Sequence, residues 1–292
     1  MSVSILTIIT ICLFAVGSLG FTAWDVTDTM QQFYMVGLLS LAAFLSTRTG
    51  GLDLSIGSVM ALSSVILAVF AAENNAVAGF LLAFIVCGAF GLMNGLFIMA
   101  FRLPSILITI VSSMLAWGIA MWVGGGVSIS LPPEWPGIEV VPTAIALLVS
   151  VGIVLFVLKK TGRLEKDHPH TFLGKKYFWI YGVVAVIGAF AGWAETICFG
   201  ASDMSFGSGS SNEMIILFVF ATISSTKLLK NNWIALGGVL ILAMIWTVHD
   251  QAMILLDLNP FSRIVSNASW VIIMLCVLVV AKRYWKNPPQ NW

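Results

Sequence analysis

The chain has 292 residues, 59% of them hydrophobic and only 9% charged, with a formal net charge of +1. Soluble domains carry about 25% charged residues, so the composition excludes a soluble enzyme or scaffold and gives an all-α polytopic membrane protein. A charge so near zero offers no basis for a nucleic-acid partner. The four cysteines (Cys12, Cys87, Cys198, Cys276) all fall inside apolar runs, as buried free thiols do, with neither a disulfide framework nor zinc-ligand spacing.

At about 20 apolar residues per crossing, ten spans are expected, near 3–23, 33–49, 56–72, 76–100, 104–124, 141–158, 177–199, 213–229, 233–248 and 264–281. The first is long enough to cross and has no clear small-residue cleavage site after it, so it reads as a retained helix rather than a signal peptide. The second and ninth are short, as broken or tilted helices would be. With both termini cytoplasmic, 12 of the 14 Lys and Arg fall in inside loops or the tail, as the positive-inside rule requires. The acids run the other way, with Asp25, Asp28, Glu73, Glu134, Glu139, Asp203, Glu213, Asp250 and Asp257 outside.

Between the second and third spans stands Thr47-Arg-Thr-Gly-Gly-Leu-Asp-Leu-Ser-Ile-Gly-Ser58. A polar, glycine-rich break at membrane depth is tolerated only where it lines a cavity or packs on protein, and an intramembrane acid is a functional candidate by default. Gly50, Gly51, Asp53, Ser55 and Gly57 are therefore candidate gate or pathway residues. Glycine would supply backbone freedom, and Asp53 and Ser55 would cap helix N–H groups at the start of the third span.

Gly91 and Gly95 lie one turn apart in the fourth span, permitting close helix packing. Asn94 beside them either hydrogen-bonds across that contact or faces the pathway. Arg102 and Pro104 mark a tight inside turn, with Pro104 at the first position of the next helix. The outside loop 124–140 carries three prolines and a tryptophan, a stiff lid or interfacial segment. The inside loop 159–176 is of mixed charge, and His168 and His170 within it read as solvated rather than metal-binding. Glu195 either faces the cavity or snorkels to the outer interface.

Gly50-Gly-Leu-Asp-Leu-Ser-Ile-Gly-Ser58 has a partner 150 residues later, Gly200-Ala-Ser-Asp-Met-Ser-Phe-Gly-Ser208. Five spans lead from inside to outside and five lead back. This is the trace of an inverted 5+5 repeat, with half-repeats near 1–126 and 141–281 in a single transmembrane domain, 1–292. It adds Asp203 and Ser205 to the candidate pathway residues.

The first glycine motif (50–58), Gly-x-x-Asn-Gly (91–95) and Leu-Pro-Ser-x-x-x-Thr (103–109) resemble, in order and spacing, the permease subunits of sugar-type bacterial ABC importers, the ribose, galactose, xylose and autoinducer-2 branch. The resemblance covers about 30–160 well and 177–281 in hydropathy only. It implies a monosaccharide or similar polyhydroxylated solute and an inner-membrane, multi-pass location, with no cofactor or metal. As partners it implies a second permease subunit (homodimer or heterodimer), a cytoplasmic ABC ATPase, a periplasmic solute-binding protein and membrane lipid.

Arg102, Thr161, Gly162 and Arg163 would face the ATPase. Two departures fall on that face: 164–176 does not resemble the family's coupling segment, and Ile223-Ser-Ser-Thr226 replaces a Gly-Gly-Thr-Ser turn. With no nucleotide-binding loop, metal cluster or nucleophile–base set in the sequence, ATP hydrolysis is expected on the partner and the chain itself is not an enzyme. A secondary carrier and a non-transporting partner of a membrane complex are the alternatives.

Overall fold

Apolar segments in lipid must satisfy every backbone group internally, and the hydropathy runs accordingly become helices. The computed structural model describes residues 23–48, 51–132, 140–161, 178–205 and 232–257, with isolated positions between 259 and 276. Within these lie α1 (Ala23–Arg48), α2 (Ile56–Ala72), α3 (Ala76–Phe101), α4 (Ser105–Val123), α5 (Val140–Thr161), α6 (Trp179–Phe199) and α7 (Asn232–Leu255). Among the described residues there is no strand, only an isolated antiparallel bridge between Ser130 and Ala201. Among the described residues, five helices, α3 to α7, are long and apolar enough to cross a membrane. The spans expected at 3–23 and 213–229 lie outside the described residues, as does most of 264–281.

Two helices expected to be short are not. α1 runs 26 residues and α7 runs 24, because each continues through polar residues at which a hydropathy window stops. Asp28 sits exposed near the start of α1, where a carboxylate suits the positive helix end. His249, Asp250 and Gln251 extend α7 and are buried. Asp250 therefore belongs to a packed helix, not to an outside loop. Its carboxylate Oδ2 accepts a hydrogen bond from Gln32 Nε2 of α1 at 2.9 Å.

α2 and α6 form the centre. Fourteen of the 17 residues of α2 are buried, and 14 of the 21 of α6. They run parallel, with Gly188 against Ile56 and Gly192 against Met60. α3 crosses α6 in the opposite direction through Cys87, Gly91 and Gly95, while Gly79 and Ala83 on the same stripe, at intervals of four, face α2. A Cβ on Gly91 would strike the Tyr181 carbonyl and one on Gly95 the Phe178 carbonyl, so the close packing expected there is present. The pairing between ends of the chain is crossed: α6 lies against α3, and α1 lies against both α6 and α7. α4 offers α2 a face of small and hydroxyl residues, Thr109, Ser112, Ser113, Ala116 and Ala120. Its Val111, Met114 and Trp122 stay exposed, the surface that lipid would cover. The cysteines are less uniformly buried than their apolar context suggests: Cys87 is buried, Cys198 half-buried and Cys276 exposed.

Candidate functional site

At the end of the bundle where α1 and α3 stop and α2, α4 and α6 begin, the chain between α1 and α2 is non-helical from Gly51 to Ser55. It packs on protein, and Asp53 is 1% exposed. Gly51 is needed for space and not for an unusual backbone angle. A Cβ there would occupy the position of the Tyr181 hydroxyl and come within 2.9 Å of Ser105 Oγ. Gly57 lies buried in the first turn of α2, so it does not loosen the break. Gly50 lies outside the described residues.

Asp53 Oδ1 accepts two hydrogen bonds from Ser55, from the backbone N–H at 2.9 Å and from Oγ at 2.6 Å. Asn94 Nδ2 of α3 then donates to Ser55 Oγ at 3.0 Å. Asn94 is fully buried, so of its two expected roles the structure supports the interhelical hydrogen bond. The Leu54 N–H donates to Thr109 Oγ1 of α4 at 3.1 Å. One short segment thus ties α1, α2, α3 and α4 through polar contacts.

The capping expectation needs correction. Ser55 occupies the N-cap position of α2 but makes no side-chain cap bond, because its hydroxyl is committed to Asp53. Asp53 satisfies the Ser55 N–H and not the helix's own first N–H groups. Among the described residues, Asp53 Oδ2 and Asn94 Oδ1 are buried without a hydrogen-bond partner, so the network retains acceptor capacity.

The second motif makes the same turn. After α6 ends at Gly200, with its left-handed φ of 69°, Asp203 Oδ1 accepts the Ser205 N–H at 2.6 Å and Oδ2 accepts Ser205 Oγ at 2.8 Å. In both places an acid is bonded twice by the serine two residues on, just after a long helix stops. The environments differ, since Asp53 is sealed in the bundle while Ser205 is exposed. The 200–205 segment folds back toward the middle of α2, where the Asp203 N–H donates to Ser64 Oγ at 3.1 Å.

Arg102 ends α3 in a left-handed conformation with φ of 53° and is exposed at the same end as Asp53. Pro104 precedes α4 and Ser105 is the helix's first residue, one position later than expected. Thr161 closes α5. Gly162, Arg163, His168 and His170 lie outside the described residues. Glu195 is 2% exposed within α6, so it does not snorkel to the surface.

Sequence reasoning missed the polar group at the opposite end, half-buried Gln32 with buried His249 and Asp250, together with Ser266, whose Oγ lies 3.1 Å from His249 Nε2. The usable signal was an i, i+4 apolar pattern on α7 that continues past His249 to Met253. No cluster of three or more metal-ligating side chains occurs among the described residues.

No family model and no solved structure matches the chain. Two curated proteins are similar. The fructose import permease FrcC of Rhizobium meliloti is 34% identical over 96 residues, 31% of this chain and 26% of its own. The matched part thus spans about a quarter of that relative's length. The probable ABC transporter permease y4mJ of Sinorhizobium fredii (strain NBRC 101917 / NGR234) is 26% identical over 264 residues, 83% of this chain and 77% of its own.

Proposed function

Starting from a multi-pass membrane chain whose curated homologues are ABC transporter permeases, we propose that it is the membrane-spanning subunit of an ATP-driven importer for a monosaccharide or related polyhydroxylated solute. ATP is hydrolysed on a separate cytoplasmic ATPase, and a periplasmic binding protein delivers the solute. A second permease subunit, identical or not, completes the pathway in the bacterial inner membrane. This chain turns the motor's movement into alternating access. The name of the fructose permease favours a hexose as the first solute to test.

The observation that carries the reading is the doubled acid turn. Asp53–Ser55 follows α1 and Asp203–Ser205 follows α6 at an offset of 150 residues. The packing supports an inverted 5+5 repeat, and the distribution of Lys and Arg favours cytoplasmic N- and C-termini. If α6 repeats α1 and α7 repeats α3, then α1 on α7 and α6 on α3 are the two copies of one contact. In that arrangement Asp53, Ser55 and Asn94 form the inner hinge, while Asp203 and Ser205 lie on the outer side. Transport sites are expected where such repeats meet. Arg102, with Thr161, Gly162 and Arg163, would present the surface toward the ATPase.

The test is uptake of radiolabelled D-fructose and a panel of other monosaccharides into cells co-expressing the chain with its ATPase and binding protein. Uptake that requires ATP and survives a protonophore at constant ATP supports the importer. Uptake that collapses with the proton gradient and needs no ATPase establishes the secondary carrier instead. Co-purification with an ATPase but no uptake of any solute would leave the non-transporting partner as the reading.

A further inference from the structure

The 200–205 segment is fastened at more points than a connecting turn requires, and the fastenings come from the first half of the chain. From below, Ser64 Oγ accepts the Asp203 N–H at 3.1 Å. Ser64 is itself fixed by Thr196 of α6, hydroxyl to hydroxyl, at 2.7 Å. From the side, the Trp117 indole N–H of α4 donates to the Met204 carbonyl at 3.2 Å. From above, the chain after α4 crosses the segment in extended form at the single bridge. Leu131 N–H donates to Gly200 O at 2.7 Å, Ser202 N–H to Ile129 O at 2.8 Å, and Ile129 N–H to Ser202 Oγ at 2.9 Å. Ser128 Oγ also donates to Ser202 O.

Beneath these polar ties the Met204 side chain and Ile129 pack on the apolar cluster of Leu62, Val65 and Ala120. Gly124 makes room for Met204, since a Cβ there would lie 3.0 Å from the Met204 methyl. Gly125 and Gly126 follow with left-handed φ of 65° and 76°, a backbone that few other residues adopt. They turn the chain back from α4 over the segment.

We propose that 200–205 is a closure over the outward half of the bundle, and that Ser64 is the positioning residue that holds it down on α2. The proposal rests on the importer reading for the meaning of outward. α2 then carries both acid turns: Asp53 and Ser55 lie at its start, and Ser64, its ninth residue, seats Asp203. Hydroxyl and backbone bonds between neutral groups are worth little each in a membrane, about 0.6 kcal/mol on average by double-mutant cycles. A closure built from such bonds can open one contact at a time, which a well-packed apolar seam cannot.

The test places a reporter cysteine, Val65→Cys, in a background whose native cysteines are replaced, and follows its modification by a membrane-impermeant maleimide added outside right-side-out vesicles. Labelling is slow while Met204 covers the site. Ser64→Ala accelerates it about threefold, the factor that about 0.6 kcal/mol for one lost bond gives. Thr196 keeps a second acceptor in the Gly192 carbonyl, 2.8 Å away, so the substitution leaves no new orphaned group on α6. Ser63→Ala is the control, because its hydroxyl donates to the Ala189 carbonyl and not to the segment, and it leaves the rate unchanged.

Equal rates in Ser64→Ala and its parent overturn the proposal. So does equal acceleration by Ser63→Ala, or labelling only from the cytoplasmic side. A second measurement pairs Ser130→Cys with Ala201→Cys, directly opposed in the bridge and so about 5 Å apart at Cβ, close enough to be oxidised to a disulfide after a small shift. The lock reduces D-fructose uptake at least tenfold and dithiothreitol restores it. A lock that forms and leaves uptake intact refutes the closure. A parent that takes up no solute at all refutes the importer reading instead, and the labelling rates still decide on Ser64.

Discussion

Asp53→Ala removes the acceptor of two buried donors, the Ser55 N–H and the Ser55 hydroxyl. Leaving a buried donor unsatisfied costs about 1–3 kcal/mol, so two orphans would cost roughly 2–6 kcal/mol. The hydroxyl can turn to another acceptor, and removing a buried carboxylate returns part of its desolvation cost, so a net loss of about 2–3 kcal/mol is expected. Asp53→Asn keeps one acceptor oxygen for Ser55 and should lose about 1 kcal/mol. The measurement is thermal unfolding of the detergent-solubilised protein, followed by fluorescence-detected size exclusion, beside solute uptake normalised to membrane level. The alanine variant should melt clearly below the asparagine variant and transport poorly. If Asp53→Asn instead melts like the parent yet fails to transport, the carboxylate has a role of its own in the mechanism. An alanine variant with parental melting and full uptake would refute both the hydrogen-bond accounting and the hinge.

Further substitutions test the packing and the second turn. Gly95→Ala forces a methyl onto the Phe178 carbonyl, a backbone atom that cannot step aside, and should cost about 1–3 kcal/mol as other overpacking does. Gly118→Ala meets nothing within 4 Å and should be neutral or slightly stabilising by helix propensity, so equal melting of the two variants would contradict the α3–α6 contact. Asp203→Ala orphans a more exposed pair of donors and should reduce uptake with less loss of stability than Asp53→Ala. The reverse order would break the proposed division between buried hinge and outer turn. Gln32→Leu strips a donor from the buried Asp250 carboxylate and should cost about 1–3 kcal/mol. Adding Asp250→Leu should cost less than the two single changes summed, as a differential melting cycle would reveal.

The helices were largely readable because their signal is carried by length and hydropathy, which lipid enforces directly. The ends were not. The second and ninth spans were cut short where Gln32, His249 and Asp250 begin, since a window average cannot distinguish a polar residue leaving the membrane from one buried against another polar residue. Only the Gln32–Asp250 bond, between positions 218 residues apart, makes that distinction. That the Asp53 motif and its partner at Asp203 would make equivalent turns was legible, because spacing survives in sequence. What Ser55 does was not legible. Its position at a helix start predicted a cap, yet a competing acceptor two residues back takes the hydroxyl. Nor did the sequence indicate that Ile129 and Ser202, 73 residues apart, meet across the end of the bundle away from Asp53.

How such a bundle can move follows from what holds each helix. α1, α6 and α7 share one apolar cluster, with Phe44, Leu45, Ile187 and Trp246 interdigitated, and separating them would expose packing that fits only one way. The crossed pairing of α1 with α7 and α3 with α6 further prevents the halves from parting as rigid blocks. α4 is held differently. Its inner face meets α2 through Thr109 bonded to Leu54 N–H, Ser113 bonded to Ser58, and the alanines Ala116 and Ala120, while its outer face is exposed. Hydroxyls can exchange partners along a helix groove, and small residues let one backbone slide past another. α4 begins beside Gly51 and ends at the glycine run before the extended segment that crosses 200–205. A tilt of α4 would therefore shift the Asp53 segment through Thr109 and the Asp203 segment through Trp117 together. If the bundle rocks as proposed, α4, between the two acid turns, is the element these contacts leave freest to tilt, with the α1–α6–α7 core as its frame.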